Sequence, residues 1–231
     1  MIKKAMILAA GFGKRLNPLT LKCPKPLLKI GDETLLSNTL KFLLEFGVKE
    51  VVINVHYLEK QIIDYVNKNK FNISINIVKE KNNILDTGGG ILNAINHFKE
   101  EFLCINPDTI WNNKYIKDLE LMTKEFLLKD RKCSMLLVNK DKSFDKSFNG
   151  DFNLKNDLID RKSKDLKYIF TGLQIMKPEL FLDIDDKIFS VNKIWNNLIE
   201  ARQLYGFESE IDTFFHVSNL DVYKKLTKIK H

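Results

Sequence analysis

Met6-Ile7-Leu8-Ala9-Ala10-Gly11-Phe12-Gly13-Lys14-Arg15-Leu16-Asn17-Pro18-Leu19-Thr20-Leu21-Lys22-Cys23-Pro24-Lys25-Pro26-Leu27 is the segment from which the remaining chain is read. Ala5 to Ala10 is an apolar run with the length of a buried strand. It discharges into Gly11-Phe12-Gly13, where glycine permits a sharp turn, and Lys14 and Arg15 follow at once. Glycine-rich backbone presents unobstructed N–H groups, and with an ammonium and a guanidinium beside them it makes a cradle suited to a polyphosphate. The expected ligand is an anion.

Two familiar phosphate loops are excluded. A P-loop needs a hydroxyl residue after Gly-Lys to hold magnesium, and Arg15 stands there. The dinucleotide fingerprint needs a third glycine where this chain has Leu16, and Asp32 and Glu33 fall at the acidic offset only by coincidence. Gly-x-Gly alone is equally compatible with a plain tight turn. The second half of the segment adds specificity: Pro18, Pro24 and Pro26 break any helix and hold an extended loop that returns Lys25, pinned between two prolines, toward the sheet.

Leu8-Ala9-Ala10-Gly11-Phe12-Gly13-Lys14-Arg15-Leu16-Asn17-Pro18-Leu19-Thr20 followed by Pro24-Lys25-Pro26-Leu27 resembles the signature of the sugar-1-phosphate nucleotidyltransferases. That pattern is Leu-Ala-Ala-Gly-x-Gly-x-Arg-x-x-Pro-Leu-Thr, then Pro-Lys-Pro-Leu. The resemblance implies that Leu8 to Lys14 bind the nucleotide, that Arg15 stabilises the departing β- and γ-phosphates, and that Lys25 meets the charge on the α-phosphate and the incoming phosphate.

The 231 residues suffice for one substantial core, read as a single nucleotidyltransferase domain over 1–231. A content of 44% hydrophobic and 29% charged residues is that of an ordinary globular protein. The net charge of +7 comes from lysines scattered without a basic stripe or interleaved aromatics, so no nucleic-acid partner is expected. Cys23, Cys104 and Cys133 are odd in number and lack metal spacing, as suits a reducing cytoplasm. Lys3-Lys4 precedes an apolar run too short for a signal peptide, and no run approaches the roughly 20 residues of a membrane helix.

Along the chain, Thr34 to Phe46 has helical apolar spacing stopped by Gly47, Val51 to Val55 reads as a strand, Leu58 to Asn69 as a helix and Asn72 to Val78 as a strand. This rhythm argues for a parallel sheet covered by helices, with ligands at the carboxyl ends of the strands. His56, just past one such end, is read as a locally packing loop residue. Asp86-Thr87-Gly88-Gly89-Gly90 heads a helix expected over Ile91 to Phe98, with Thr87 as its cap and backbone amides free to face a base or ribose. The resemblance places a nucleotide-recognition turn here, at Thr87, Gly88 and Gly89, and the triple glycine is similar to small uridylyltransferases acting on N-acetylmuramic acid 1-phosphate.

Phe102 to Ile105 is a continuous apolar strand, and Pro107 ends its pairing so that Asp108 emerges at the carboxyl end. An aspartate facing a triphosphate there is a natural Mg²⁺ ligand, with a turn-capping role as the bland alternative. The resemblance assigns the metal to Asp108 within Asn106-Pro107-Asp108 and places Asn106 at the sugar. A helix over Lys114 to Leu128, a strand over Cys133 to Val138, an exposed mobile loop over Asn139 to Asn149, a strand over Phe170 to Met176, a helix between Phe189 and Leu204, and one over Leu220 to Leu226 complete the reading. Gly150-Asp151-Phe152 and Phe170-Thr171-Gly172 are similar to stretches bordering the sugar, which makes Asp151, Thr171 and Gly172 candidate sugar contacts; an ordinary hairpin is the alternative.

His216 stands where the resembling proteins carry a second metal-contacting aspartate. A neutral imidazole is a weaker Mg²⁺ ligand, so either Asp108 and phosphates hold the ion, or Mn²⁺ is used, or His216 meets the sugar phosphate. The expected fold is a Rossmann-like, glycosyltransferase-A-like α/β domain with a central, mostly parallel mixed sheet and no β-helix domain. The implied reaction joins a nucleoside triphosphate to a sugar 1-phosphate with release of pyrophosphate, foremost UTP with N-acetylmuramic acid 1-phosphate in cell-wall recycling. Guanylyl transfer to mannose or heptose 1-phosphate is the close alternative, and cytidylyl transfer to phosphocholine fits less well. A nucleotide-sugar sensor without turnover is the alternative of another class. The chain is expected to act as a monomer or homodimer.

Overall fold

A computed structural model describes residues 1–229. In chain order the elements are β1 (Lys4–Leu8), β2 (Lys29–Ile30), β3 (Glu33–Thr34), α1 (Leu35–Phe46), β4 (Glu50–Val55), α2 (Glu59–Lys68), β5 (Ser74–Lys79), α3 (Asp86–Ala94), β6 (Phe102–Ile105), α4 (Lys114–Leu128), β7 (Cys133–Asn139), β8 (Asn153–Lys155), β9 (Leu158–Asp160), β10 (Tyr168–Met176), α5 (Asn192–Glu200), β11 (Leu204–Glu208) and α6 (Leu220–Leu226). Nine strands form one sheet in the order β5-β4-β1-β6-β10-β7-β11-β9-β8, and only β9 and β10 run against the others. The sheet is therefore mixed and mostly parallel, as expected.

Period-two alternation divides its two faces. Ala5 and Ile7 of β1, Val51, Ile53 and Val55 of β4, and Leu103 and Ile105 of β6 join one core, with Leu36, Leu40 and Leu43 of α1, Ile62 of α2 and Leu119, Met122 and Phe126 of α4. Met6, Val52, Phe102 and Cys104 point the other way, against Ile91 and Ala94 of α3 and Ile194, Trp195 and Leu198 of α5. A third cluster carries Leu16, Leu28, Ile30, Leu35, Val217, Val222 and Leu226, so α6 anchors the proline-rich loop from outside the sheet.

Most expected elements lie within a residue or two of their predicted bounds. α1 is capped by Thr34, whose Oγ1 accepts from the Ser37 N–H, and ends at left-handed Gly47. Three readings are corrected. The glycine triplet lies inside α3, which starts at Asp86, and the chain from Ile95 to His97 is a 3-10 turn. The helix expected from Phe189 to Leu204 spans only Asn192 to Glu200, because the Phe189 carbonyl and Val191 N–H are taken by α3, and Arg202 turns left-handed to launch β11. The segment 139–149 is tied down: Ser143 is buried, Phe144 N–H donates to the Phe214 carbonyl, and Asp145 accepts from the Ser218 hydroxyl. Among the described residues no helix is long and apolar enough to cross a membrane.

Candidate active site

The carboxyl ends of β1, β4, β5 and β6 open on a cleft of about 340 Å³. Its walls include Leu8 to Gly11, Gly13, Arg15, Lys25, Asn106 and Asp108. Gly13 has φ +64°, and a Cβ there would lie 3.0 Å from the Thr20 methyl and 3.2 Å from Lys25 Cβ. Thr20 Oγ1 bonds the Gly13 carbonyl at 3.0 Å, which locks the turn against the proline loop and brings Lys25 over it. A Cβ at Gly11 would meet nothing within 4 Å, so backbone there is open to the cleft. Phe12 turns away and packs against His56 and Tyr57, with Lys14 Nζ 5.4 Å from its ring centroid. Lys14 lines a smaller adjoining hollow of about 180 Å³ that shares Gly13, Arg15 and Lys25 with the main cleft.

Asp108 is the electrostatic centre. Its Oδ2 accepts from Lys25 Nζ at 2.6 Å and lies 3.1 Å from His216 Nε2. The three side chains are largely buried, exposing 16, 15 and 15% for Asp108, Lys25 and His216. Burial alone would push the Asp108 carboxyl up, but the Lys25 ammonium and the His216 ring outweigh it and hold it well below the usual carboxylate range. His216 is clamped between Phe214, ring centroids 5.8 Å apart, and Phe148 at 5.5 Å. Its position is set by a short bridge in which Thr109 pairs with His216, and by Val217 N–H donating to the Asp108 carbonyl at 2.8 Å.

Whether these residues suit a divalent cation is decided by one atom. Asp108 Oδ1 is buried without a hydrogen-bond partner, and a buried carboxylate oxygen with free lone pairs is a hard-donor position awaiting a ligand. Among the described residues no group of three acidic, histidine or cysteine side chains could hold a metal, so other ligands must come from phosphate oxygens and water. His216 Nε2 must carry the proton to bond Asp108, which makes it a positioning partner of the carboxylate and removes that nitrogen as a ligand. Arg15 forms no hydrogen bond or ion pair with any described residue and lines the same cleft, so its fork is available to an anion.

The remaining sequence-derived positions divide. Asn106 and Thr87 line the cleft. Thr87 does not cap α3; its Oγ1 accepts from Val191 N–H at 2.9 Å and fastens the start of α5. Gly88 and Gly89 face inward: added Cβ atoms would lie 2.3 Å from the Phe189 ring and 2.3 Å from the Lys187 carbonyl oxygen. Their absent side chains serve helix packing, and neither lines the cleft. Thr171 is buried with its hydroxyl donating to the Leu136 carbonyl at 2.8 Å, which leaves it no hydrogen to offer a sugar. Gly172, at φ +92°, packs on Asn106 and accepts that residue's N–H at 2.8 Å, so it supports the cleft wall from behind. Burial pushes the Asp151 carboxyl up, against the Phe170 N–H that donates to its Oδ2 at 2.9 Å.

Two polar cleft residues, Asn54 and Glu80, escaped the sequence reading. Asn54 Oδ1 accepts the Ala9 N–H at 2.9 Å, and its Nδ2 donates to Glu80 Oε1 at 2.6 Å. Glu80, only 2% exposed, accepts from Leu85 N–H at 2.8 Å through its other oxygen and has no cationic partner among the described residues. An asparagine amid Val51-Val52-Ile53 was the visible signal, because a polar side chain inside a buried strand needs a bonding purpose.

The family model of the nucleotidyl transferases matches residues 4–148. Among curated proteins the chain is 27% identical to an N-acetylmuramate alpha-1-phosphate uridylyltransferase of Caulobacter vibrioides, over 90% of this chain and 89% of that protein. It is 32% identical to the corresponding enzyme of Neisseria meningitidis, over 79% and 78%, and 29% identical to a mannose-1-phosphate guanyltransferase of Saccharomyces cerevisiae, over 90% and 59%. Among solved structures, HddC of Yersinia pseudotuberculosis superposes with a TM-score of 0.77 at 22% identity, over 98% of this chain and 99% of that one, a likeness of fold. With its glycine turn, its proline-framed Lys25 and a cleft at the carboxyl ends of the sheet, the chain belongs to the nucleotidyl transferase family.

Proposed function

We propose that the protein transfers a uridylyl group from UTP to N-acetylmuramic acid 1-phosphate and releases pyrophosphate. The convergence of Arg15, Lys25 and Asp108 on one cleft beside the open backbone of Gly11 supports nucleotidyl transfer, and the likeness to two N-acetylmuramate alpha-1-phosphate uridylyltransferases supports this base and sugar. A phosphate oxygen of the sugar 1-phosphate attacks the α-phosphorus, and the bond from that phosphorus to the bridging oxygen of the β-phosphate breaks, leaving with its electron pair as pyrophosphate. The protein supplies position and charge for this displacement. Arg15 takes the β- and γ-phosphates, Lys25 reaches the α-phosphate from its seat on Asp108, and Asn106 orients the sugar. Asp108 Oδ1 would hold Mg²⁺, which when bound neutralises phosphate charge. His216 keeps the Asp108 carboxylate turned so that Oδ1 stays free.

Guanylyl transfer to a hexose 1-phosphate is the second reading, supported by Glu80. A buried carboxylate on the cleft wall suits the adjacent N1–H and N2–H₂ donors of guanine, whereas uracil offers one N–H between two carbonyls. Pyrophosphate release across four triphosphates and a panel of sugar 1-phosphates tests both. Release with UTP and the muramic acid ester supports the first reading, release with GTP and mannose 1-phosphate the second, and silence across the panel rejects both.

A further inference from the structure

Among the residues lining the cleft, Asp86 alone is a non-glycine residue in the left-handed region, at φ +61°. The conformation is imposed from both sides. Leu85 N–H donates to Glu80 Oε2 at 2.8 Å, and the Leu85 carbonyl accepts the Phe189 N–H at 3.2 Å. Beyond Asp86, Thr87 Oγ1 accepts from Val191 N–H at 2.9 Å, and Gly89 N–H donates to the Phe189 carbonyl at 3.0 Å. With its neighbours fixed, Asp86 must bridge them left-handed. Aspartate tolerates this better than most residues, but glycine does so at no steric cost, and backbone strain of this kind gathers at ligand sites. The side chain therefore calls for a use.

Its two oxygens are differently engaged. Oδ1 accepts the Thr87 N–H at 2.6 Å, which fixes the orientation of the carboxylate. Oδ2 has no hydrogen bond and no cationic partner among the described residues, and Asp86 is exposed on the cleft wall. An oriented acceptor with free lone pairs faces the space a ligand would fill.

The order of the strands says which part of a nucleotide that is. Along β5-β4-β1-β6, Gly13 and Arg15 follow β1, and Asp108, bonded to Lys25, follows β6. Glu80 follows β5 and holds Leu85, so Asp86 stands at the opposite end of the cleft from the Lys25–Asp108 pair. A triphosphate seated on the cations extends its nucleoside toward β4 and β5. There a carboxylate avoids phosphate charge and meets donors. Buried Glu80 and half-buried Ile84 line the enclosed part, which suits a flat base, whereas exposed Asp86 suits the hydroxyl edge of a ribose. Dinucleotide folds use the same pairing of carboxylate and ribose hydroxyl.

We infer that Asp86 accepts a hydrogen bond from a ribose hydroxyl of the triphosphate and thereby selects ribonucleotides over deoxyribonucleotides. The inference rests on the nucleotidyl-transfer reading above and adds which pentose the site takes.

The test measures pyrophosphate release by the wild type, Asp86→Asn and Asp86→Gly with the preferred triphosphate and with its 2′-deoxy and 3′-deoxy analogues. The wild type is expected to favour the ribonucleotide over at least one analogue. Asp86→Gly is expected to lower that ratio of kcat/KM about tenfold or more, chiefly through KM for the ribonucleotide. Asp86→Asn keeps an acceptor for the Thr87 N–H and tolerates the left-handed turn, so it is expected to lower the ratio with an unchanged thermal midpoint. Ratios unchanged in both variants, even with all rates lowered, make Asp86 a turn residue only and overturn the inference. A changed preference among the four bases with the pentose ratios untouched assigns the carboxylate to a base N–H and also overturns it. Equal use of ribo- and deoxynucleotides by the wild type overturns it while nucleotidyl transfer stands. No turnover with any pair of substrates overturns the underlying reading and the inference with it.

Discussion

At the scale of single residues, the decisive fact is that one oxygen of Asp108 is doubly engaged while the other is unpartnered. Lys25 therefore has two duties, holding Asp108 ionised and meeting phosphate charge. Lys25→Ala is expected to lower kcat by about 10²–10⁴ and to destabilise the fold by about 1–3 kcal/mol, because Asp108 is left buried with His216 alone. Pyrophosphate release and urea unfolding measure the two effects, and near-normal turnover would refute the assignment. His216→Asp probes the metal position. Two facing carboxylates repel, so the metal-free variant is expected to lose about 1–3 kcal/mol and to gain more thermal stability than the wild type on adding Mg²⁺. An equal Mg²⁺ shift in both proteins would show that the side chain at position 216 does not face the cation.

Among the elements, α3 shows how propensity and packing compete. Alanine at Gly89 would gain about 1 kcal/mol of helix propensity, but its Cβ would lie 2.3 Å from a backbone carbonyl that can retreat only by moving the segment before α5. Overpacking of this kind costs about 1–3 kcal/mol or more, so steric exclusion wins. Gly89→Ala is expected to lower stability and, by loosening the Thr87–Val191 bond, to raise KM for the nucleotide. Gly88→Ala, which meets a side-chain ring, is expected to be milder; the reverse order in urea unfolding would show that the 187–191 segment is not the constraint. The glycine triplet was visible in the chain, but its purpose was not, because Phe189 and Lys187 lie about 100 residues away in sequence and only folding brings them to the helix.

Across the whole molecule, the sheet gathers the site at one end while distant contacts steady the other strands. The β8–β9 hairpin turns through Asn156 and Asp157, both with positive φ, and Asp157 Oδ2 reaches back to Arg131 at 2.8 Å and Lys129 at 3.0 Å. The Lys129 bond is the largest influence on the Asp157 carboxyl; burial opposes it next, and the Arg131 bond with the charges of both cations brings the carboxyl below its ordinary range. A lowered folded pKa means the stabilisation is present above the unfolded value of about 4 and is lost as pH falls through the folded value. Asp157→Asn, which keeps the left-handed turn, is expected to cost about 1–2 kcal/mol at neutral pH. Solvent screening at Asp157, whose side chain is 44% exposed, limits the effect, while the stranding of Arg131, only 2% exposed, adds to it. The deficit relative to wild type is expected to shrink below pH 4 in urea unfolding; a constant deficit would assign the effect to the turn.

What the order of residues determined alone was local or periodic: alternation placed β1, β4 and β6 in a buried sheet, Thr34 and Gly47 bounded α1, and three prolines framed Lys25 between the glycine turn and the sheet. Those features also made Arg15, Lys25 and Asp108 legible as one cluster, since ligands gather at the carboxyl ends of such strands. Tertiary structure decided the rest. Thr171 had the chemistry of a sugar contact, but its hydroxyl was claimed by the Leu136 carbonyl on a neighbouring strand. Asn54 and Glu80 entered the site only because β4 and β5 bring them together behind Ala9. The physical reason is common to both: a polar group's role depends on which partner folding brings within about 3 Å, and that partner belongs to another stretch of the chain.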